Sequence, residues 1–182
     1  MPSRLHIQMI VTAMLLLASM VPHSARADDP PAKARERIGV YDSRAIAIAY
    51  AGSTCLKQEQ QELTAKHKRA KATGDEKEAS RLEAKGAAKQ ARLYRQGFST
   101  EPVDDLLTYV AKVQPQIRDA AGLTTIVSKW SKPELNKHPK VERVDVTMQL
   151  VDAFAPDERA RKNAIEIQKK DPIPPTQLDK KH

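Results

Sequence analysis

A short strand with nothing nearby to pair with constrains this 182-residue chain more than any other feature. In "RIGVYDSRAIAIAYAG" (residues 37–52), Ile38, Val40 and Tyr41 suit a pleated sheet, whereas Ala45, Ala47 and Ala49 suit the interior of a helix. Asp42 and Ser43 stand at the changeover, where a side-chain oxygen can cap the helix that follows. The next strand-like run, "LTTIVSKW", begins only at Leu123. A second, "VERVDVT", alternates Val144 and Val146 against Arg143 and Asp145. The segment 38–42 must therefore wait for both. Everything between is a helical excursion that leaves a small sheet and returns to it. The expected fold is α+β and predominantly helical: a long, coiled-coil-like helical hairpin rooted in a small three-stranded β body.

The excursion has its own grammar. A helix runs from Ser43 to about Thr73, weakened at Gly52 and Ser53. Ala49, Leu56, Leu63 and Ala70 recur every seven residues along it, a narrow seam. "TGD" at 73–75 is a turn signal. Asp75, Glu76 and Glu78 suit the start of a second helix, along which Ala79, Leu82, Gly86 and Leu93 follow a three–four spacing. The pair reads as a hairpin over about 53–98 with small residues where the helices meet, and neither helix is stable alone.

After the hairpin, "GFSTEPVDD" is punctuation. Gly97 is expected to end the second helix, Ser99 or Thr100 to cap a third, and Pro102 to sit in its first turn. Val103, Leu106, Leu107, Val110, Val113, Ile117 and Ala121 then form one amphipathic stripe, with a kink expected at Pro115 and a stop at Gly122. "SKPELNKHPK" reads as a loop, and Thr147 as the cap of "MQLVDAF". Pro156 opens a last helix with Ala160, Ala164 and Ile167 aligned, and "DPIPPTQLDKKH" is expected to be extended or disordered.

The N-terminus reads as a secretory signal peptide over 1–27. Arg4 is followed by "MIVTAMLLLASMV", an apolar stretch too short to span a bilayer comfortably, and then by the small-x-small site "ARA". Residues 28–37 read as a flexible leader, 38–155 as a single domain, and 156–182 as a C-terminal helix and Pro-rich tail. The 155 residues after Ala27 carry 29 basic and 23 acidic side chains and only seven aromatics, a composition that favours long helices over a thin core. Cys55, the one cysteine, has no partner for an intramolecular disulfide.

This layout resembles the Skp/OmpH family of periplasmic chaperones. The resemblance rests on the signal peptide, on "IGVYDSR" as first strand and helix start, on a Lys/Glu/Gln/Ala hairpin, on "AAGLTTIV" as the returning strand and on "VDVTMQLVDAF" as the final strand and helix. It covers roughly 38–155. It implies a β body that trimerises, with helical arms enclosing unfolded outer-membrane proteins in the periplasm. The lopsided hairpin, the break at "GFSTEPVDD" and the extra C-terminal helix depart from the family's pattern.

Charge agrees with a binding role. Between Lys57 and Arg95 eleven Lys or Arg face six Asp or Glu, and "KHKRAK" lies beside the turn. Lys66, Lys68, Arg69 and Lys71 are thus the candidate residues for acidic clients, anionic lipid or lipopolysaccharide, against the plainer reading of a solvated helix face. Nucleic acid is a poor partner for a chain with so few aromatics. Catalysis lacks a constellation. His67, His138 and His182 have no paired spacing, and Cys55 and His67 lie roughly 18 Å apart along one helix at ~1.5 Å per residue. Asp42 with Asp145, and Asp104 with Asp105, could pair as acid and base, but each also suits a helix start. The expectation is a non-enzymatic protein without metal or cofactor that acts as a holding chaperone and forms a homo-oligomer. The alternative is a structural or scaffolding envelope protein whose coil binds one specific partner.

Overall fold

The computed structural model describes residues 36–178. The expected signal peptide, the leader up to residue 35, and residues 179–182 lie outside the described residues. Strand β1 (Arg37–Tyr41) is the middle of a three-stranded sheet, between β2 (Thr125–Ser128) and β3 (Glu142–Asp145). Both pairings are parallel: Ile38 lies opposite Thr125 and Arg143, and Val40 opposite Val127 and Asp145. The fold is α+β and mostly helical. Arg37, placed by sequence in the leader, already belongs to the sheet.

Period-two alternation splits β1 between two cores. Ile38 packs with Val127 and Leu135, with Val40 and Val141 at the margin. Tyr41 joins the main core on the other face with Leu123, Val146, Leu150 and Phe154. Helix α1 (Ser43–Ala51) supplies that core with Ala45, Ile46, Ala49 and Tyr50, all essentially without solvent exposure. Asp42 caps α1, its side chain accepting from the Arg44 backbone N–H.

The weak point at Gly52 is a true break. Ser53 caps the next helix, α2 (Thr54–Ala72), at the Leu56 N–H. Gly52 is also where α8 (Glu158–Ile167) crosses, so close that a Cβ at Gly52 would lie 2.1 Å from the Ala160 Cβ. Helix α3 (Glu76–Phe98) follows a Schellman turn, in which Gly74 takes φ 71° and the Asp75 N–H reaches the Ala70 carbonyl at 2.9 Å. Helices α2 and α3 pack through a small separate cluster of Ala70, Ala79 and Leu82, with Leu63 beside it.

Several expectations are corrected. Gly97 does not end α3, which runs to Phe98; Ser99 closes it, donating to the Arg95 carbonyl, instead of capping a third helix. The stripe from Val103 to Ala121 is not one kinked helix. It breaks into α4 (Asp104–Leu107), a 3-10 turn (Thr108–Val110) and α5 (Gln114–Ala120). Pro115 lacks an N–H and crowds the carbonyl four residues back, so it opens α5 and does not bend a continuous helix. The segment 131–140 is not all loop: α6 (Lys132–Asn136) buries Leu135. Thr147 does not cap α7 (Thr147–Ala153). Its hydroxyl accepts from the Asp42 N–H at 3.0 Å, while Asp145 accepts from the Thr147 N–H at 2.8 Å. In the tail, the Ile173 N–H bonds the Phe98 carbonyl at 2.8 Å, and α9 (Pro175–Leu178) buries Leu178 to 1% exposure.

The Gly52 contact generates a sharp expectation. Gly52→Ala forces α1 and α8 apart and costs about 1–3 kcal/mol, as overpacking does. Adding Ala160→Gly restores most of that loss despite its own helix penalty of ~1 kcal/mol. Urea unfolding of the two single variants and the double variant measures the coupling; strict additivity would disprove the close approach.

Candidate functional site

The four cations singled out by sequence sit on the last two turns of α2, and all are exposed. They do not form one face. Residues three apart share a side of a helix, so Lys66 goes with Arg69, and Lys68 with Lys71. Lys71 is engaged by Glu76 across the turn, Nζ to Oε2 at 2.6 Å. Lys68 borders a shallow surface with Lys57, Gln60 and Thr64. Lys66 borders something different, a cleft of about 630 Å³ between α2 and α3.

The walls of that cleft are apolar in two places. Leu63 and Leu82 stand toward the turn, and Leu56 and Leu93 toward the body. The helices come close at Gly86, where a Cβ would lie 3.2 Å from the Leu63 Cδ2. Between the leucine pairs, Lys89 of α3 bonds Glu59 of α2. The same carboxylate accepts the hydroxyls of Tyr50 (2.8 Å) and Tyr109. Burial first, and the neighbouring Tyr109 hydroxyl second, raise the Tyr50 pKa well above its ordinary value, so Tyr50 is a lasting donor. The Lys89 ammonium also lies 5.4 Å from the Tyr50 ring centre. Glu59 thus ties α1, α2, α3 and the 3-10 turn together at the foot of the cleft.

A second polar centre lies at the C-terminal end of the sheet. The Asp42 carboxylate is fully buried and accepts from the Arg44 backbone N–H, from Arg44 Nε at 3.0 Å and Nη2 at 2.8 Å, from Lys129 Nζ at 2.8 Å and from Trp130 Nε1 at 3.2 Å. Arg44, also fully buried, spends Nη1 on the Lys170 carbonyl and stacks over Trp130. From the sequence Asp42 reads as a helix cap or as one half of an acid–base pair with Asp145, not as the acceptor of a buried ion pair. Arg44 two residues on, at the first turn of an otherwise apolar helix, was the available signal.

Chemically, the buried centre is closed: five donors occupy the two oxygens of Asp42. The expected acid–base pairs stand at helix starts. Asp104 and Asp105 open α4, with Asp105 taken up by Gln96 and Arg92, and Asp145 holds the Thr147 N–H. His138 faces Glu36 at 3.3 Å, and His67 lies on α2. Among the described residues no cluster of His, Cys, Asp or Glu could hold a metal ion. The open cleft of α2 and α3 is the largest of the concavities among the described residues that a ligand could enter; a smaller one of about 360 Å³ lies beside β2, Tyr41 and Trp130. Neither the protein-family models, nor the curated proteins, nor the solved structures contain a match to this chain.

The Asp42 centre predicts a pH dependence. Burial acts to raise its pKa, but the hydrogen bonds and charges of Arg44 and Lys129 outweigh burial and hold it below the ordinary value. A carboxyl that is more acidic folded than unfolded stabilises the fold fully above its unfolded pKa of ~3.9. That contribution disappears as pH falls through the depressed folded value. Asp42→Asn leaves Arg44 buried without its counter-charge and should cost ~3–5 kcal/mol near neutrality. Urea unfolding from pH 7 to pH 3 should show the gap between wild type and variant constant to about pH 4 and narrowing below it. Equal stabilities at pH 7 would remove the ion pair from the centre of the fold.

Proposed function

We propose that this chain is a periplasmic holding chaperone that shelters unfolded outer-membrane or envelope proteins without ATP or cofactor. The observation that carries the reading is the exposed pair α2–α3. Over 42 residues it buries only Leu56, Ala70, Ala79, Leu82, Gln96 and Gly97, while a basic, leucine-lined cleft runs between its helices. In this reading the pair is an arm rooted in the sheet, and its thin core lets it yield to irregular clients. Lys and Arg stems supply apolar length beneath their charges. Long-range attraction gathers acidic or unfolded chains, with anionic lipid or lipopolysaccharide as further partners. The Skp/OmpH resemblance supports the same assignment and a homotrimer. So does the three-stranded sheet, a marginal body for a lone subunit.

The test uses several unrelated outer-membrane barrels diluted from urea with the purified chain. Light scattering should show aggregation delayed for all of them. Protection of one barrel alone would favour a scaffold with a single partner, and protection of none would overturn the reading. Replacing Lys66, Lys68, Arg69 and Lys71 together by Gln should leave the melting temperature nearly unchanged and slow capture several-fold at low salt. In about 1 M salt, where screening acts over ~3 Å, the difference should vanish.

A further inference from the structure

We infer that the cleft between α2 and α3 seats one short extended segment of a held polypeptide, a leucine-sized side chain beside a carboxylate, and that Lys66 and Lys85 choose it. The inference rests on the holding reading and names the site and chemistry that the reading leaves open.

The length of the cleft accommodates an extended occupant, and its lining favours one with alternating apolar and polar side chains. From Leu56 to Lys66 the α2 wall is roughly 15 Å long at ~1.5 Å per residue. An extended chain at ~3.3 Å per residue passes the cleft in about five residues. Its alternate side chains face one way, so two of them can meet the leucine pairs at the two ends while a polar position between meets Glu59 and Lys89. A bare hydrocarbon chain would have to run past that ion pair and leave it desolvated without a new partner, a losing exchange.

Charge selects among extended segments. Glu59 is occupied by Lys89, Tyr50 and Tyr109, and Arg81 by Glu78 at 2.6 Å. Among the described residues Lys66 and Lys85, on opposite walls, have no ion-pair partner, and the charge of Glu62 in the same lining offsets one of them. One positive charge is left over at the rim, matching one carboxylate on the occupant. Lys68, two residues from Lys66, belongs to the outer surface and has no part in this.

Fluorescence anisotropy tests the site with a dye-labelled, unstructured octapeptide carrying two leucines and one glutamate, its Glu→Lys counterpart, and laurate as competitor. The full chain should bind the acidic peptide about tenfold more tightly than the basic one. Lys66→Glu with Lys85→Glu should abolish that preference, whereas Lys77→Glu with Lys112→Glu, an equal change of charge at exposed positions outside the cleft, should retain it. Gly86→Met, which fills the cleft, should weaken both peptides, and circular dichroism of each variant reports that the helices remain. Equal effects of the two charge pairs would overturn the cleft in favour of general electrostatics. Laurate binding without peptide binding would overturn the polypeptide occupant. If the Lys66/Lys85 variant binds the acidic peptide normally while aggregation is still suppressed, the cleft fails and the holding reading survives. If the wild-type chain suppresses no aggregation, the holding reading fails with it.

Discussion

Asp42 and Arg44 are two buried charges that this fold cannot leave alone. Taking an ion pair out of water carries a desolvation penalty of several kcal/mol per ion, recovered only where geometry and further hydrogen bonds are good. Here the recovery recruits the whole body. Asp42 ends β1 and begins α1; Lys129 and Trp130 follow β2; Thr147 begins α7; Lys170 follows α8. Each donates to or accepts from this pair. Hydrophobic burial drives collapse, but it is tolerant of small shifts. A carboxylate satisfied by five donors is not, and it fixes where each of these segments stops.

The α2–α3 pair is governed differently. Its ends are set by local devices: Ser53 at the Leu56 N–H, the Schellman turn at Gly74, Asp75 at the Glu78 N–H, Ser99 on the Arg95 carbonyl. Its own core is small, Ala70, Ala79 and Leu82 with Leu63 beside them, and its surface pairs such as Arg81–Glu78 contribute little in water. Segments with few buried apolar contacts open at low free energy. Glu59, held by two tyrosines and a lysine, stands where this pair meets the main core.

What could be read from the sequence was what depends on neighbours along the chain. The strand at Ile38–Tyr41, the break at Gly52, the turn at Thr73–Asp75 and the buried row Ala160, Ala164 and Ile167 are local patterns of period two or 3.6, or punctuation. What escaped depends on distant partners. Thr147 looks like a cap, but its hydroxyl is drawn to the Asp42 N–H, 105 residues away. The tail looks extended until Phe98 and Arg44 offer it hydrogen-bond partners. The basic run at Lys66–Lys71 was visible as composition; that Lys66 and Lys85 flank the same cleft requires the register of two antiparallel helices.

A central strand that comes first has a kinetic meaning. Ile38 meets Thr125 across 87 residues and Arg143 across 105. Such pairings are of high contact order, and the entropy of closing the loop is lost before any strand contact repays it. The helix pair, whose contacts span one turn, can zip within microseconds on its own. A chain emerging from its N-terminus therefore carries β1 unpaired until β2 and β3 have followed. Asp42 and Arg44 remain hydrated through that interval and are dehydrated only when Lys129, Trp130 and Thr147 arrive to receive them. The fold is completed at the first of its described strands.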